Sequence, residues 1–276
     1  MAKVSGKEVA NAILEKLEKE IKKKNLKPKL AIILAGNDPS SRIYVKNKIK
    51  KALQIGIDVK LFEFSKNQFN KCLQTIKKLN ADKKTHGIIV QYPVFEGWNF
   101  DNLISNINSQ KDVDGFLEES PFVGATALAV WEMLTAFAKK EGFKNTKNFL
   151  NNKKIVLLGK GKTAGGPIRD LLKNKGINFS LIDSKTENPH QIIKKANVVI
   201  SATGIKHIVN GKNIKKGSFV IGVGVGKDND KIYGDIEEQG VAKIAKLYCP
   251  TIGGIGPLTI ACLLRNVVES AKGGIS

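Results

Sequence analysis

In this 276-residue chain the segment Gly159-Lys160-Gly161-Lys162-Thr163-Ala164-Gly165-Gly166-Pro167 has the spacing of a phosphate-binding turn. It follows the apolar run Ile155-Val156-Leu157-Leu158 and precedes a helical pattern over 168–173. Glycines there let backbone amides approach a pyrophosphate at a helix N-terminus, and Pro167 suits a first helical turn. A P-loop reading of Gly161-Lys162-Thr163 fails, because the pattern needs glycine at 156 and the chain has Val156. A tight turn without ligand is the plain alternative. The strand–turn–helix context and Asp183, at the end of the next strand, favour a dinucleotide. An acid at that position bonds the 2′-hydroxyl of NAD and repels the 2′-phosphate of NADP. Lys160, Ser184 and Lys185 offer that phosphate donors and positive charge, so spacing leaves the coenzyme choice open.

Positioning such a turn requires α/β architecture. Ser5 and Glu8 form a capping box ahead of Val9, Ile13, Leu14, Leu17 and Ile21 at helical spacing. Leu30–Leu34 and Gly87–Gln91 read as buried parallel strands and Val59–Phe64 as a strand between them in sequence. Between them lie a helix opened by Pro39-Ser40-Ser41, running through Ile43, Val45, Ile49 and Leu53 to Gly56, and a helix over Phe69–Leu79. Lys111–Phe116 and Pro121 mark a loop, 126–139 a helix, and the polar stretch 141–152 a hinge or surface connection. Further strands are expected at 179–182, 198–201 and 219–223, and a last helix at 258–270. This rhythm gives two α/β domains, in keeping with a length of roughly two domains.

Composition removes several function classes. Apolar residues make 42% of the chain and charged residues 26%, an ordinary globular balance. No apolar run is long enough to span a membrane, and Met1–Lys7 lacks the apolar core of a secretion signal, so a cytoplasmic protein is expected. Cys72, Cys249 and Cys262 are scattered, as are His86, His190 and His207, which argues against a disulfide framework or a metal site. Lys and Arg number 46 against 25 Asp and Glu, a net +21 that suits anionic partners. Nucleic acid is one such partner, but no nucleic-acid signature matches; the others are a phosphorylated cofactor and a polycarboxylate substrate.

Several segments taken together resemble the bifunctional methylenetetrahydrofolate dehydrogenase/methenyltetrahydrofolate cyclohydrolase family. They are Ser40–Lys48 (SSRIYVKNK), Gly87–Pro93 (GIIVQYP), Lys111–Phe116 (KDVDGF), the turn at 159–167 and Gly253–Thr259 (GGIGPLT). They occur in the family's order across nearly the whole chain. The resemblance implies two α/β domains with a cleft between them: a folate-binding catalytic domain over 1–125, with helix 258–276 packing back on it, and a Rossmann-like NAD(P)-binding domain over 126–257. It implies conversion of 5,10-methylenetetrahydrofolate to the 5,10-methenyl and 10-formyl forms with NADP, the alternatives being NAD as coenzyme or only one of the two reactions. It also implies a homodimer, and the tetrahydrofolate substrates carry polyglutamate tails in some cases.

By motif, the resemblance places the Tyr-x-x-x-Lys pair on Tyr44 and Lys48, the active-site glutamine on Gln91 and the pterin-binding aspartate on Asp114. Gly254, Pro257 and Thr259 join the substrate side. Coenzyme contacts fall on Gly159, Lys160, Gly161, Lys162, Thr163, Gly165, Pro167, Asp183, Ser184, Lys185, Thr203 and Gly204. The residue types suit the chemistry. Tyr44 and Lys48 share a helical face, a lysine of lowered pKa relays protons, and a carboxylate accepts from the pterin N–H groups. The chain departs from the family pattern at Gly124-Ala125-Thr126-Ala127, Gly222, Ile252, Lys160 (for Arg) and Asp183 (for His). None of these touches Tyr44, Lys48, Gln91 or Asp114.

Overall fold

The computed structural model describes residues 2–228 and 231–273, which form two compact units. The chain begins with a short strand β1 (Ala2–Lys3) and helix α1 (Gly6–Lys23). The Ser5 hydroxyl accepts the Glu8 N–H at 3.3 Å, and Leu14, Leu17 and Ile21 form the buried face of α1. Strand β2 (Lys29–Leu34), helix α2 (Pro39–Gln54), strand β3 (Asp58–Glu63), helix α3 (Phe69–Ala81) and strand β4 (Gly87–Gln91) follow, then a short helix α4 (Phe100–Ser105). The three strands run parallel in the order β3-β2-β4. Ala31, Ile33, Ile88 and Val90 pack on Cys72, Ile76, Phe100 and Leu103 to form the core on one side of this sheet.

Helix α2 differs from expectation in a way that matters. Asp38 caps it, accepting the Ser41 N–H at 2.7 Å, and Pro39 takes the first position, where no amide hydrogen is needed. The apolar residues Ile43 and Leu53 are nevertheless 62% and 57% exposed. The buried stripe is Ser41, Val45, Lys48 and Ala52, so a lysine occupies a core-facing position.

The second sheet belongs to residues 126–259 together with the first ten residues. Its elements are α5 (Ala125–Lys140), α6 (Thr146–Leu150), β5 (Ile155–Leu158), α7 (Gly165–Asn174), β6 (Ser180–Ile182), α8 (Pro189–Lys195), β7 (Val198–Ser201), β8 (Phe219–Gly222), β9 (Val225–Asp228), β10 (Lys231–Gly234), α9 (Glu238–Ile244) and β11 (Leu247–Cys249). Helix α10 (Ile255–Ala271) ends the described chain, its residues from Ile260 on grouping with 11–125. Six strands run in the order β1-β11-β8-β7-β5-β6, every pair parallel, and β9 and β10 form a separate antiparallel pair. Residues before Asn11 group here and not with 11–125, because β1 pairs with β11 and the Val4 N–H extends the ladder to Tyr248 O at 2.9 Å.

The stretch 141–152 is not a bare surface connection. Helix α6 buries Thr146, Phe149 and Leu150; the Phe149 ring meets Phe219 edge-on at 4.8 Å, and the Thr146 hydroxyl is 2.7 Å from that of Thr135. Phe149 and Leu150, with Phe143 packed edge-on against Phe149, anchor a segment that is otherwise mostly polar.

Candidate functional site

Each sheet reverses its strand order beside one strand, β2 in the smaller and β5 in the larger. In the smaller sheet the chain leaves β2 for β3 and returns on the other side as β4. In the larger it leaves β5 for β6 and returns as β7. At such a switch point the carboxyl ends of two neighbouring strands diverge and leave a crevice for a ligand.

At the β2/β4 switch point, Lys48 on α2 is 4% exposed and donates to Gln91 Oε1 at 3.0 Å. Gln91 ends β4, and its Nε2 donates to Tyr92 O at 2.7 Å, which fixes the amide so that its oxygen faces the amine. Lys48 Nζ lies 4.9 Å from the centre of the Tyr44 ring, one helical turn away. Burial pushes the Lys48 ammonium below its ordinary range, and the negative charge of Asp114 opposes that fall. Burial likewise raises the Asp114 carboxyl, with Lys48 pulling the other way. The structure therefore gathers Tyr44, Lys48, Gln91 and Asp114 in one place. Their types give it a poised amine, a neutral orienter and a carboxylate.

Some polar residues around this group have no periodicity to reveal them. Ser41 lies in the buried stripe of α2 and donates to Tyr92 O at 3.3 Å. Asp112, 1% exposed, accepts the N–H groups of Gly115 at 3.1 Å and Leu117 at 2.7 Å. Burial still lifts its carboxyl to about 6, with the charge of Asp114 adding to the rise. The doublet of acids in KDVDGF was the available signal for Asp112.

At the β5/β7 switch point the backbone is bare. Gly159 has φ +92°, and a Cβ there would collide with Ala202 O; a Cβ on Gly165 would collide with Gly159 O and lie 2.8 Å from the Lys160 nitrogen. Only glycine permits this approach, so the turn fits a pyrophosphate that needs backbone amides. Helix α7 starts at Gly165, earlier than expected, with Pro167 inside its first turn. Gly161, Lys162 and Thr163 are exposed on the turn. Thr203 and Gly204 (φ +71°) follow β7 directly opposite. Asp235 holds that segment: its Oδ2 accepts the Ser201 hydroxyl and the Thr203 N–H, each at 2.8 Å. Asp235 is fully buried and carried no sequence signal.

Asp183 directly follows β6, at the strand end expected, and is already engaged. Lys160 Nζ donates to its Oδ2 at 2.8 Å and the Lys185 N–H to its Oδ1 at 2.9 Å, and the Lys160 contact holds the carboxyl below its usual range. Ser184 and Lys185 are exposed beside it. Gly254, Pro257 and Thr259 lie at the start of α10 and group with the larger sheet's unit, not with Lys48. Gly254 sits against Pro250 O, where a Cβ has no room. Among the described residues no cluster of His, Cys, Asp and Glu could hold a metal ion, and no helix is long and apolar enough to cross a membrane.

Fold and site define a class: an α/β enzyme with one nucleotide-type sheet and a second sheet bearing a buried amine within the electrostatic influence of a partly buried carboxylate. The family models agree on both halves. Residues 4–114 match the catalytic domain of tetrahydrofolate dehydrogenase/cyclohydrolase, and residues 125–274 match its NAD(P)-binding domain. The bifunctional protein FolD of Caldanaerobacter subterraneus is 34% identical over 98% of this chain and 96% of its own. The crystal structure of the bifunctional FolD of Campylobacter jejuni superposes with a TM-score of 0.89 at 32% identity, covering 99% of each chain. That of Trypanosoma brucei, complexed with NADP and an inhibitor, gives 0.88 at 28% identity, covering 99% of this chain and 97% of its own. The chain belongs to the tetrahydrofolate dehydrogenase/cyclohydrolase family.

Proposed function

We propose that the protein oxidises 5,10-methylenetetrahydrofolate to the 5,10-methenyl cation with NADP and hydrolyses that cation to 10-formyltetrahydrofolate. The observation that carries this reading is Lys48, a buried amine hydrogen-bonded to Gln91 and set against Asp114. When bound at the glycine turn, the coenzyme supplies the acceptor for the methylene hydride. Asp114 accepts from the pterin ring N–H and exocyclic amine and so fixes the carbon to be oxidised. The Tyr44 ring stacks on the aminobenzoyl group. In the second reaction neutral Lys48 takes a proton from the water that adds to the methenyl carbon. It returns a proton to N5 as the N5–carbon bond breaks, leaving the formyl group on N10 and releasing one proton overall. Gln91 keeps the amine aimed throughout without adding charge.

The coenzyme side of the reading uses Gly159, Gly161 and Gly165 for the pyrophosphate, with Lys162, Thr163, Thr203 and Gly204 at the rim. Lys160, Ser184 and Lys185 serve the 2′-phosphate. A second reading, NAD as coenzyme, is favoured by Asp183, whose carboxylate ends the second strand of the sheet. The net charge of +21 suits folate polyglutamate tails. A cytoplasmic homodimer completes the proposal; Ile205, Val225, Ile232 and Ile252 are exposed apolar side chains of the coenzyme unit that a second copy would cover. The test is the wild-type protein with methylenetetrahydrofolate and each coenzyme in turn, then methenyltetrahydrofolate alone. Turnover of both folates supports the reading, with faster oxidation on NADP than NAD. Failure of both reactions would overturn it.

A further inference from the structure

Asp114 sits on a loop that closes on itself. Gly115 (φ +69°) is packed so tightly that a Cβ would lie 2.6 Å from Gly124 N and Phe122 O and 2.8 Å from the Val123 carbonyl carbon. The Ser120 hydroxyl donates to Asp112 O at 2.8 Å. Upstream, Lys111 Nζ donates to the carbonyls of Leu79, Asn80 and Asp82 at 2.8–2.9 Å, anchoring the entry to the loop on the C-terminus of α3.

The remaining tie comes from far along the chain. Asn266, on α10 and 5% exposed, donates from Nδ2 to Val113 O at 2.9 Å and to Val123 O at 3.1 Å. One amide group thus spends both hydrogens on the two ends of the loop. Both partners are carbonyls, so only the amide nitrogen can face them.

These ties meet at Asp114. The Val113 carbonyl belongs to the peptide group on its N-terminal side and is held by Asn266. The Gly115 N–H belongs to the peptide group on its C-terminal side and is held by the Asp112 carboxylate at 3.1 Å. With both adjoining peptide planes pinned, φ and ψ of residue 114 are set, and with them the direction of its Cα–Cβ bond.

We infer that Asn266 and Asp112 are positioning residues for Asp114, latching its loop so that the carboxylate faces Lys48 and the folate. The folate part of this inference rests on the function proposed above; the aim of Asp114 at Lys48 does not. No motif marks Asn266, which lies in the apolar pattern of a helix.

The test uses Asn266→Leu, which keeps the branched side-chain shape at a somewhat larger volume and removes both donors, and reads two quantities. The first is KM for methylene- and methenyltetrahydrofolate, expected to rise roughly 10-fold in both reactions while the KM for the coenzyme stays put. The second is the titration of the Lys48 amine, followed by NMR of lysine labelled at Cε. Lys48 faces Asp114 from the loop, Gln91 from β4 and Tyr44 from its own helix, and Asp114 is the group that raises its pKa. Releasing Asp114 therefore moves the Lys48 titration to lower pH, which a general loosening of the fold does not do. If Asn266→Leu does not fold, Ser120→Ala, which removes two loop hydrogen bonds (to Asp112 O and from the Phe122 N–H), gives smaller shifts in the same two directions. Folate KM within twofold of wild type with an unmoved Lys48 titration overturns the inference, and so does a raised KM with an unmoved titration. Should wild type turn over neither folate, the function fails, and the titration alone still decides the latch.

Discussion

The two switch points use the same topology for opposite purposes. At β2/β4 the chain draws ionisable side chains away from water: Lys48 and Asp112 are buried and Asp114 partly so, and desolvation displaces the pKa values of all three. At β5/β7 it removes side chains: Gly159 and Gly165 clear the backbone, and the charged pair Lys160–Asp183 stands half in solvent. Low-dielectric surroundings tune proton transfer, whereas exposed amides and cations bind an anion without tuning anything. In the proposed function, one parallel βαβ plan thus serves chemistry at one site and binding at the other.

Substitutions break this contrast in order of size. Lys48→Ala removes the proposed proton relay and is expected to cut cyclohydrolase kcat by about 10²–10⁴-fold. Near-normal hydrolysis of methenyltetrahydrofolate by that variant would refute the role. Asp112 comes next, through stability. Its carboxyl rises from 3.8 to about 6 on folding, so the folded chain binds this proton more tightly than the unfolded chain. Stability from this group is therefore fully present below the unfolded pKa and is lost as pH rises through about 6, a change on the order of 3 kcal/mol. Asp112→Asn is expected to flatten the dependence of the urea midpoint on pH across that window; an unchanged slope contradicts the burial argument.

Gly159→Ala forces a side chain onto Ala202 O at positive φ, a strain of about 1–3 kcal/mol. It is expected to cost the dehydrogenase about 10–100-fold in kcat/KM for coenzyme and to leave hydrolysis of methenyltetrahydrofolate intact. Equal losses in both reactions would erase the division of labour between the sites. Asp183→Ser has the smallest effect. The Lys160–Asp183 pair is exposed and screened, so freeing Lys160 for the 2′-phosphate raises the NADP/NAD ratio of kcat/KM only about 3–10-fold. A ratio that does not move places Asp183 away from the ribose.

Much of this contrast was legible in the sequence, unevenly. Leu30–Leu34, Gly87–Gln91 and Ile155–Leu158 read as strands because a strand covered on both faces is continuously apolar. The glycine turn was legible for a similar reason, since glycine identity is itself the steric requirement. The elements missed are short or polar. Strands β1 and β11 hold two and three residues, the β9–β10 pair follows no apolar run, and α6 hides Phe149 and Leu150 among Asn and Lys. Helix α2 misled in the most instructive way. Its apolar periodicity pointed to Ile43 and Leu53, yet the buried stripe runs through the polar residues Ser41 and Lys48. Only the family motif drew attention to Lys48. Asn266 and Asp235 stayed hidden because hydrogen bonds to distant backbone leave no local pattern.

The central claim is that Lys48 is a depressed, carboxylate-coupled amine. Its titration by NMR, in wild type and in Asp114→Asn, tests this most directly. The account predicts a wild-type pKa below the ordinary 10.5 and a further fall in the variant, because the charge that opposes desolvation is gone. A Lys48 that titrates near 10.5 in both proteins would contradict it.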